Sequence, residues 1–368
     1  MEFEKTIKIC ILHPQFLDVN TMFDFFGVSR KKYNFEWDDK HPDYVIATEW
    51  IYYKSEYFNK FLSLQRPETI NIFFAGECLE PDLNIFDYAI VFDKNLALDD
   101  RISRIPTLQF FGEFVKDDFF LKIDNPHEIL KNKTGFCNFI YSNANAHPNR
   151  DKLFHKISEY KKVDSLGPHL RNVDVKEQFV HWSEKKHYKF SIACENACYK
   201  GYTSEKIITS FATHTIPIYW GDPLIENFFN PKAFINANNK SFDEIVKIVE
   251  HIDNNDELYC EMISQPHLTE QQKENFINEK EKFQQFLANI FDQPIIEAKR
   301  VGQGFHPENY RKWFKSLVTK DVYASEKQGI LKKKTFWKKI FSLRNSFEHD
   351  QKRKVVTLLG IRIKIKTK

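Results

Sequence analysis

The chain alternates short apolar runs with helix-compatible segments, and it does so in two successive blocks. The first block contains the runs Thr6–His13, Asp43–Trp50, Thr69–Gly76 and Phe86–Asp93. In the second block the apolar runs are Phe136–Asn143, Tyr188–Asn196 and Thr215–Asp222, and helical patterns cover Asn149–Lys162, Ser204–His214, Ser241–Ser264 and Glu270–Asp292. Continuous apolar runs separated by helices are typical of buried parallel strands. The pattern therefore predicts two α/β domains, with a boundary near Phe119–Lys133.

Length and composition agree with this prediction. The 368 residues exceed one average domain, and a hydrophobic content of 42% with 36 Phe indicates globular packing. The N-terminal residues place acids before their apolar run and read as a first strand, not a signal peptide. No window approaches the ~18 apolar residues of a membrane span. The six cysteines are scattered without a zinc-site spacing, so we expect reduced thiols in a cytoplasmic protein.

Charge is distributed unevenly along the chain. Residues 331–368 hold 13 Lys/Arg and two acids, whereas the remaining residues hold 41 Lys/Arg against 49 Asp/Glu. The segment Leu331–Phe347 places apolar residues on one helical face and lysines largely opposite, a pattern of membrane-surface helices. That apolar face comprises Phe336, Trp337, Ile340, Phe341 and Leu343. We expect this basic amphipathic tail to bind an anionic membrane surface. Nucleic acid is the competing partner for such charge, but the Trp/Phe face favours lipid, and we predict no nucleic-acid binding.

Neither of the glycine-rich phosphate-binding loops is present, so a phosphate would have to be held by side chains and helix ends. The segment CENACYKGYTSEKII (Cys194–Ile208) runs a polar turn into an apolar helix. Lys206 beside unpaired N–H groups at the helix start would suit a phosphate. Glu205 can accept hydrogen bonds from a ribose, and Tyr202 can lie against a base or sugar. From these residues alone, an amphipathic helix with solvated Glu and Lys stays open as the alternative.

Residues 189–222 run in order through an apolar strand, E-N, a short loop, Y-x-[ST]-E-K, a helix and [IV]-P-[IV]-x-x-G. This order resembles the donor-binding pattern of the α1,3/α1,4-fucosyltransferases of glycosyltransferase family 10. Three further segments resemble the family: Phe73–Asp93, with an acid in a G-E-N-like turn; Ser142–Tyr160, where an Arg opens a helix; and the glycine-containing Val163–Asn172. The similarity extends over roughly residues 1–295.

The resemblance implies a GT-B type α/β fold, in which two Rossmann-like domains face each other across a cleft. The implied divisions are residues 1–125 on the acceptor side, 134–295 for GDP-fucose binding, 296–330 as a connecting segment and 331–368 as the tail. By motif position, Glu77 matches the catalytic acid, Arg150 the phosphate-binding Arg, and the donor-site residues are Asn196, Tyr202, Glu205 and Lys206. Cys78 and Ala197 depart from the family's usual Asn and Ser, and the first departure puts acceptor preference in doubt.

The family's reaction inverts configuration, converting GDP-β-L-fucose into an α-fucoside. Glu77 would act as the base, while Arg150 and Lys206 compensate the charge on the leaving GDP. No acidic metal motif stands out, since the pair in Asp99–Arg101 reads as solvated surface. We therefore expect no obligatory metal, although a divalent ion could stimulate. Each residue also has an ordinary structural interpretation: a turn acid, a first-turn Arg, or, for Asn196, a strand end.

The expected function is transfer of L-fucose to the 3- or 4-hydroxyl of N-acetylglucosamine in an N-acetyllactosamine-type glycan. Lipopolysaccharide O-antigen of a bacterium, giving a Lewis-type product, is the expected context, and the inner face of the cytoplasmic membrane the expected location. Two alternatives remain open. One is a transferase of the same fold that uses another GDP-sugar, and the other is a non-catalytic nucleotide- or glycan-binding protein.

Overall fold

The computed structural model describes residues 5–13, 26–29, 31–93, 100–115, 117–317, 341–348, 351–358 and 361–366. Contacts divide the chain into two compact units. The first combines Met1–Glu49 with Leu64–Val301, and the second combines Trp50–Ser63 with Gly302–Lys368.

A six-stranded parallel sheet forms the amino-terminal half of the first unit. Its strands are β1 (Lys5–Leu12), β2 (Tyr33–Trp37), β3 (Tyr44–Thr48), β4 (Ile70–Phe74), β5 (Tyr88–Val91) and β6 (Ile102–Arg104). They lie in the order β2-β1-β3-β4-β5-β6. Every residue of β3, β4 and β5 is buried, as expected of strands covered on both faces. The predicted strands are confirmed, whereas β2, which carries polar residues at alternate positions, and the three-residue β6 were not predicted.

A second parallel sheet, of five strands, forms the other half of the first unit. Its strands are β7 (Gly135–Phe139), β8 (Val163–Ser165), β9 (Tyr188–Cys194), β10 (Ile216–Trp220) and β11 (Ile235–Asn236), in the order β11-β10-β9-β7-β8. Helix α5 (Asn149–Tyr160) follows β7, and helix α6 (Glu205–Phe211) follows β9. Residues of β9 alternate between two apolar clusters, so that Ile192 packs in the cluster with α5 and Ala193 in the cluster with α6.

Among the described residues, six further α-helices complete the first unit. They are α3 (Thr107–Phe110), α4 (Pro126–Lys131), α7 (Phe242–Asp253), α8 (Asp256–Ile263), α9 (Glu270–Asp292) and α10 (Ile295–Ala298). The helix predicted over Ser241–Ser264 is in fact two helices, because Asn255 caps the start of α8 by accepting from the backbone N–H of Leu258. The prediction for α9 is confirmed. Its residue Phe291 contacts the Tyr33 and Tyr44 rings of the first sheet edge-on, with centroids 5.8 and 5.2 Å apart.

The second unit contains helices α1 (Trp50–Tyr53) and α2 (Ser55–Ser63) and the helical residues 305–317. The Phe314 ring packs edge-on against Tyr52 and Phe58, with centroids 6.3 and 6.4 Å apart. Strands β12 (Phe341–Glu348), β13 (Gln351–Leu358) and β14 (Ile361–Lys366) form an antiparallel sheet. Throughout the described parts of the chain, every helix is either too short or too polar to cross a bilayer.

The tail corrects one prediction. The amphipathic helix expected over Leu331–Phe347 is wrong for its carboxy-terminal part, because residues 341–348 are a strand. The segment 331–340, which carries Phe336, Trp337 and Ile340, lies outside the described residues. Apolar residues at 341, 343 and 347 are spaced by two or four positions, and even spacings are also those of one strand face. The helical interpretation ignored this second periodicity.

Candidate active site

Glu77 lies in the turn that follows β4. Its carboxylate accepts hydrogen bonds from two residues of the loop that follows β9. Oε1 accepts a hydrogen bond from Nδ2 of Asn196 at 3.3 Å, and Oε2 accepts from the Tyr202 hydroxyl at 2.5 Å. The Tyr199 hydroxyl donates to Glu80 in the same turn, at 3.4 Å. The predicted base and two of the predicted donor-site residues therefore meet, although 119 and 125 positions separate them along the chain.

Tyr202 is suited to donate to Glu77 because its phenol stays protonated. The residue is buried, and burial raises its pKa far above the usual value, with further contributions from the negative charges of Glu195 and Glu77. The ring of Phe92, which follows β5, meets the Tyr202 ring edge-on at 5.0 Å. The preceding Gly201 has φ +80°, and a Cβ there would lie 2.3 Å from the Phe92 carbonyl oxygen. Only glycine allows this turn to approach the first sheet so closely.

A buried carboxylate organises the start of helix α6. Glu195 is fully buried, and its Oε1 accepts from the backbone N–H of Ser204 at 2.8 Å. Its Oε2 accepts from the Ser204 hydroxyl at 2.6 Å and from Nζ of Lys206 at 3.2 Å. A Cβ on Gly221 would lie 2.5 Å from Cγ of Glu195, so that glycine leaves the space the carboxylate needs. The structure makes Glu195 the centre of this cluster.

Lys206 is not a solvated surface residue. Its side chain is 15% exposed, and Nζ contacts Ser204 Oγ at 2.8 Å and a carboxylate oxygen of Glu205 at 3.4 Å. Burial disfavours the ammonium charge, but the carboxylates of Glu195 and Glu205 outweigh burial and raise the pKa of Lys206. The residue therefore carries a positive charge. The solvated alternative is wrong for Lys206, whereas the side chain of Glu205 is 42% exposed.

One backbone N–H beside the start of α6 is already engaged. The backbone N–H of Ser204, which precedes α6, is donated to Glu195. Ser204 occupies the N-cap position, yet its hydroxyl makes no cap hydrogen bond and donates to the same carboxylate. The Lys206 ammonium is the charged donor that this helix start offers to an anion.

Arg150 lies in the first turn of α5 and is 1% exposed. Its Nη2 donates to the Asn143 carbonyl at 2.6 Å, its Nε to Asp151 at 3.3 Å, and its guanidinium carbon lies 4.6 Å from the Tyr141 ring centroid. Within the described residues, Nη1 is buried and has no hydrogen-bond partner. A buried charged donor without a partner is costly, so this group indicates a place for an anionic ligand.

Hydrogen bonds of neighbouring residues connect the surroundings of Arg150 with the loop that carries Asn196. The Tyr141 hydroxyl accepts from the Cys194 backbone N–H at 2.7 Å, at the end of β9. The backbone N–H of His147 donates to the Asn196 carbonyl at 2.8 Å, and that of Arg150 donates to the His147 carbonyl at 3.1 Å. The six predicted residues thus occupy the loops, or the first turns of the helices, that follow β4, β7 and β9, on the side of the carboxyl ends of these strands. Ligands of open α/β sheets bind at such strand ends.

Two further carboxylates that the sequence did not single out shape the site. Asp222 is fully buried and accepts from the backbone N–H of Gly201 at 2.9 Å and from the Thr203 hydroxyl at 3.1 Å. The sequence signal for Asp222 was its position at the end of the predicted strand Thr215–Asp222. Glu49 accepts from the backbone N–H of Gly76 at 3.0 Å. Glu49 likewise stands near the end of a predicted strand, Asp43–Trp50, but its partner Gly76 is 27 positions away along the chain.

Two family models match the chain. The model of glycosyltransferase family 10 (fucosyltransferase), C-terminal, matches residues 130–288, and that of the α-(1,3)-fucosyltransferase FucT N-terminal domain matches residues 14–111. The chain belongs to glycosyltransferase family 10. Both matched stretches contain predicted site residues of this family 10 protein: Glu77 in the first, and the other five in the second.

Individual relatives agree with the family assignment. The α-(1,3)-fucosyltransferase FucT of Helicobacter pylori is 30% identical over 279 residues, covering 66% of this chain and 55% of that protein. A putative fucosyltransferase, R654, of Acanthamoeba polyphaga mimivirus is 31% identical over 217 residues, covering 55% of this chain and 34% of that protein. GDP-fucose protein O-fucosyltransferase 3 of Xenopus tropicalis is 24% identical, covering 67% and 50%. The chain thus spans only part of the length of these relatives.

A crystal structure of an α1,3-fucosyltransferase shares the fold. It superimposes with a TM-score of 0.64 at 24% sequence identity, covering 79% of this chain and 91% of that one. Another, solved with GDP-fucose, gives a TM-score of 0.58, also at 24% identity. The GT-B type arrangement of two parallel-sheet halves is confirmed.

Proposed function

We propose that this protein is an inverting fucosyltransferase that uses GDP-β-L-fucose. The observation that carries the proposal is the contact of Glu77 with Asn196 and Tyr202, which joins a candidate base to a candidate donor site. Both family models that match the chain describe fucosyltransferases, and this supports GDP-fucose as the donor. Glu77 is half-buried, and its negative charge contributes to raising the pKa of Lys206, so the candidate base lies near a candidate phosphate-binding cation.

The proposed reaction is a single displacement. The acceptor hydroxyl oxygen attacks C1 of fucose while the bond from C1 to the β-phosphate oxygen breaks, and the hydroxyl proton passes to the Glu77 carboxylate. A positioned carboxylate contributes on the order of 10²–10⁴ in rate to such a step. GDP departs with its bonding electron pair, so negative charge grows on the β-phosphate as the bond lengthens.

Two cations are available for the departing phosphate. Arg150 offers the buried Nη1 donor, and Lys206 offers an ammonium that neighbouring carboxylates keep charged. Charged donors placed where charge develops in the transition state act most strongly when water is excluded. Glu205, with its exposed carboxylate, is the proposed acceptor of ribose hydroxyl hydrogen bonds. We propose that transfer has no obligatory metal. Among the residues that the structure describes, no three His, Cys, Asp or Glu side chains are grouped as ligands.

A donor panel tests the proposal. The protein is incubated with N-acetyllactosamine and either GDP-fucose or GDP-mannose, with EDTA in parallel, and GDP release and the glycan product are measured. We expect turnover with GDP-fucose alone, unaffected by EDTA, and an α-linked product. Turnover with GDP-mannose would support the rival GDP-sugar transferase, and GDP binding without any turnover would support a non-catalytic protein.

The proposed acceptor is N-acetylglucosamine in an N-acetyllactosamine-type glycan, such as a bacterial lipopolysaccharide O-antigen with a Lewis-type product. The Helicobacter pylori relative supports a glycan acceptor. The protein O-fucosyltransferase relatives favour a second candidate, a hydroxyl group on a protein. Comparing N-acetyllactosamine, its β1,3-linked isomer and a Ser/Thr-containing folded protein as acceptors separates these cases. Linkage analysis of the product then assigns the 3- or 4-hydroxyl.

We further propose that the tail attaches the protein to the anionic inner face of the cytoplasmic membrane. The support is the register of the tail sheet. Val356 pairs with Leu343 and Ile363, and at the next position Val355 pairs with Arg344 and Lys364. Apolar and basic residues therefore occur together in the paired strands, and Lys354 also pairs with Ile365. Strands that combine apolar and basic residues suit the boundary between apolar chains and anionic headgroups.

Sedimentation with lipid vesicles tests this attachment. We expect the full chain to pellet with phosphatidylglycerol vesicles at low salt, and a chain ending at Gly329 to remain in the supernatant. A full chain with Arg362, Lys364 and Lys366 changed to glutamine separates charge from apolar contact. Each cation near an anionic leaflet is worth about 1 kcal/mol, so this variant is expected to bind markedly less. Equal partitioning of the full and truncated chains would contradict the proposal.

A further inference from the structure

A second carboxyl group lies directly behind the turn that carries Glu77. Glu49 follows the end of β3, and Thr48 of β3 pairs with Phe74 of β4, so the two chain segments leave the sheet side by side. Glu49 is 6% exposed, and its Oε2 accepts the Gly76 backbone N–H at 3.0 Å. A buried carboxyl that accepts from the peptide next to a candidate base is an unusual use of an acidic side chain, which is seldom buried without a cation.

The backbone of Gly76 lies close to the Glu49 carboxyl group. A Cβ at residue 76 would lie 2.8 Å from Oε1 and 3.0 Å from Oε2 of Glu49, closer than side-chain carbons approach such atoms. Because residue 76 has no side chain, its backbone can approach the Glu49 carboxyl group closely. The next residue along the chain is Glu77, whose direction is set by the Gly76–Glu77 peptide.

We propose that Glu49 is a positioning residue for transfer: its carboxyl group holds the Gly76 peptide and thereby directs the Glu77 carboxylate toward Asn196 and Tyr202. The proposal rests on the role proposed above for Glu77. It assigns Glu49 no contact with substrate. What the Gly76 N–H requires is an acceptor oxygen at the Glu49 position, and a charge is not needed for that.

The electrostatic surroundings fit a role as acceptor. Burial raises the pKa of the Glu49 carboxyl group, hydrogen bonds from backbone N–H groups oppose this, and the negative charge of Glu77 raises it further. A neutral amide with one carbonyl oxygen is therefore a close replacement. Glu49→Gln keeps the acceptor and nearly the same shape, whereas Glu49→Ala removes both.

The test compares Glu49→Gln, Glu49→Ala and Gly76→Ala, with the exposed Glu68→Ala as matched control. Steady-state kinetics with GDP-fucose, GDP affinity by calorimetry and unfolding by urea are measured for each. We expect Glu49→Ala and Gly76→Ala each to lower kcat on the order of 100-fold, because a displaced catalytic group loses about that much. The KM for GDP-fucose and the GDP affinity stay unchanged, Glu49→Gln retains most of kcat, and Glu68→Ala resembles the unaltered protein.

The double variant Glu49→Ala/Gly76→Ala adds a second readout. If both residues act through the same peptide, it is no slower than the slower single variant. The inference is overturned if Glu49→Ala keeps full kcat, or if kcat and GDP affinity fall together, which general loss of structure would produce. Should Glu49→Ala fail to fold, Gly76→Ala with Glu49→Gln decides the question. Full activity of Glu77→Gln would instead refute the assigned base, a result that the Glu49 variants do not give.

Discussion

Replacing Glu77 with glutamine is expected to lower kcat for fucose transfer by about 10²–10⁴, the usual worth of a positioned base. The amide cannot take the acceptor's proton, yet it keeps an oxygen that can accept from Tyr202 or Asn196. Glu77 follows a strand of the amino-terminal sheet, whereas the candidate phosphate-binding residues Arg150 and Lys206 follow strands of the other sheet. GDP affinity is therefore expected to stay close to that of the unaltered protein. Initial rates with saturating GDP-fucose and calorimetry with GDP measure the two quantities.

Glu80→Gln is the matched control for this result. Glu80 lies in the same turn, is exposed and contacts only the Tyr199 hydroxyl among the hydrogen bonds described above. Its amide variant should transfer fucose at nearly the original rate. Transfer by Glu77→Gln at the rate of Glu80→Gln would show that the base lies elsewhere.

Replacing Arg150 with alanine is expected to weaken GDP binding by roughly 10- to 100-fold, since a hydrogen bond to a charged group contributes about 1.5–3 kcal/mol. The buried Nη1 is the group that would contact phosphate. Transfer should fall further than binding does, because the same contact strengthens as charge grows on the leaving group. Arg150→Lys keeps the charge but not the forked donors, so it should recover only part of the affinity. Calorimetry with GDP and single-turnover rates provide the comparison.

Loss of packing has to be separated from loss of binding, because Arg150 is buried against the Tyr141 ring. Urea unfolding of each variant measures the first effect independently. Lys152→Ala, which removes an exposed cation from the same helix, controls for general charge. Equal GDP affinity in Arg150→Ala and the unaltered protein would refute the phosphate assignment.

The sequence predicted the long elements because their apolar runs are strong and uninterrupted. Glu270–Asp292 is one helix as expected, and the buried strands of both sheets fall within their predicted runs. The strands that escaped prediction, such as Val163–Ser165, are too short to show a period. At Phe341–Glu348 the pattern permitted two periods, and the helical one was chosen wrongly. Local sequence does not decide between them when neighbouring strands supply the pairing.

The site divides in the same way. Tyr202, Glu205 and Lys206 were predicted because one short segment carries them, and the family pattern added Glu77, Arg150 and Asn196. The pairing of Lys206 with a buried Glu195 was not predicted, since it depends on how deeply the turn is covered. The contact of Glu49 with Gly76 could not be predicted, because only the adjacency of β3 and β4 brings the two residues together. A residue that acts by positioning another part of the chain belongs to no motif of fixed spacing, so the sequence alone does not identify it.

The two hydrogen bonds on Glu77 have a consequence for how the base is oriented. Each carboxylate oxygen accepts one hydrogen bond, from Asn196 or from Tyr202, and keeps a second lone pair for an incoming alcohol. The two donors belong to the segment proposed to engage the sugar nucleotide. The carboxylate is therefore held in one direction before the acceptor arrives, and little reorganisation would be needed at the moment of proton transfer.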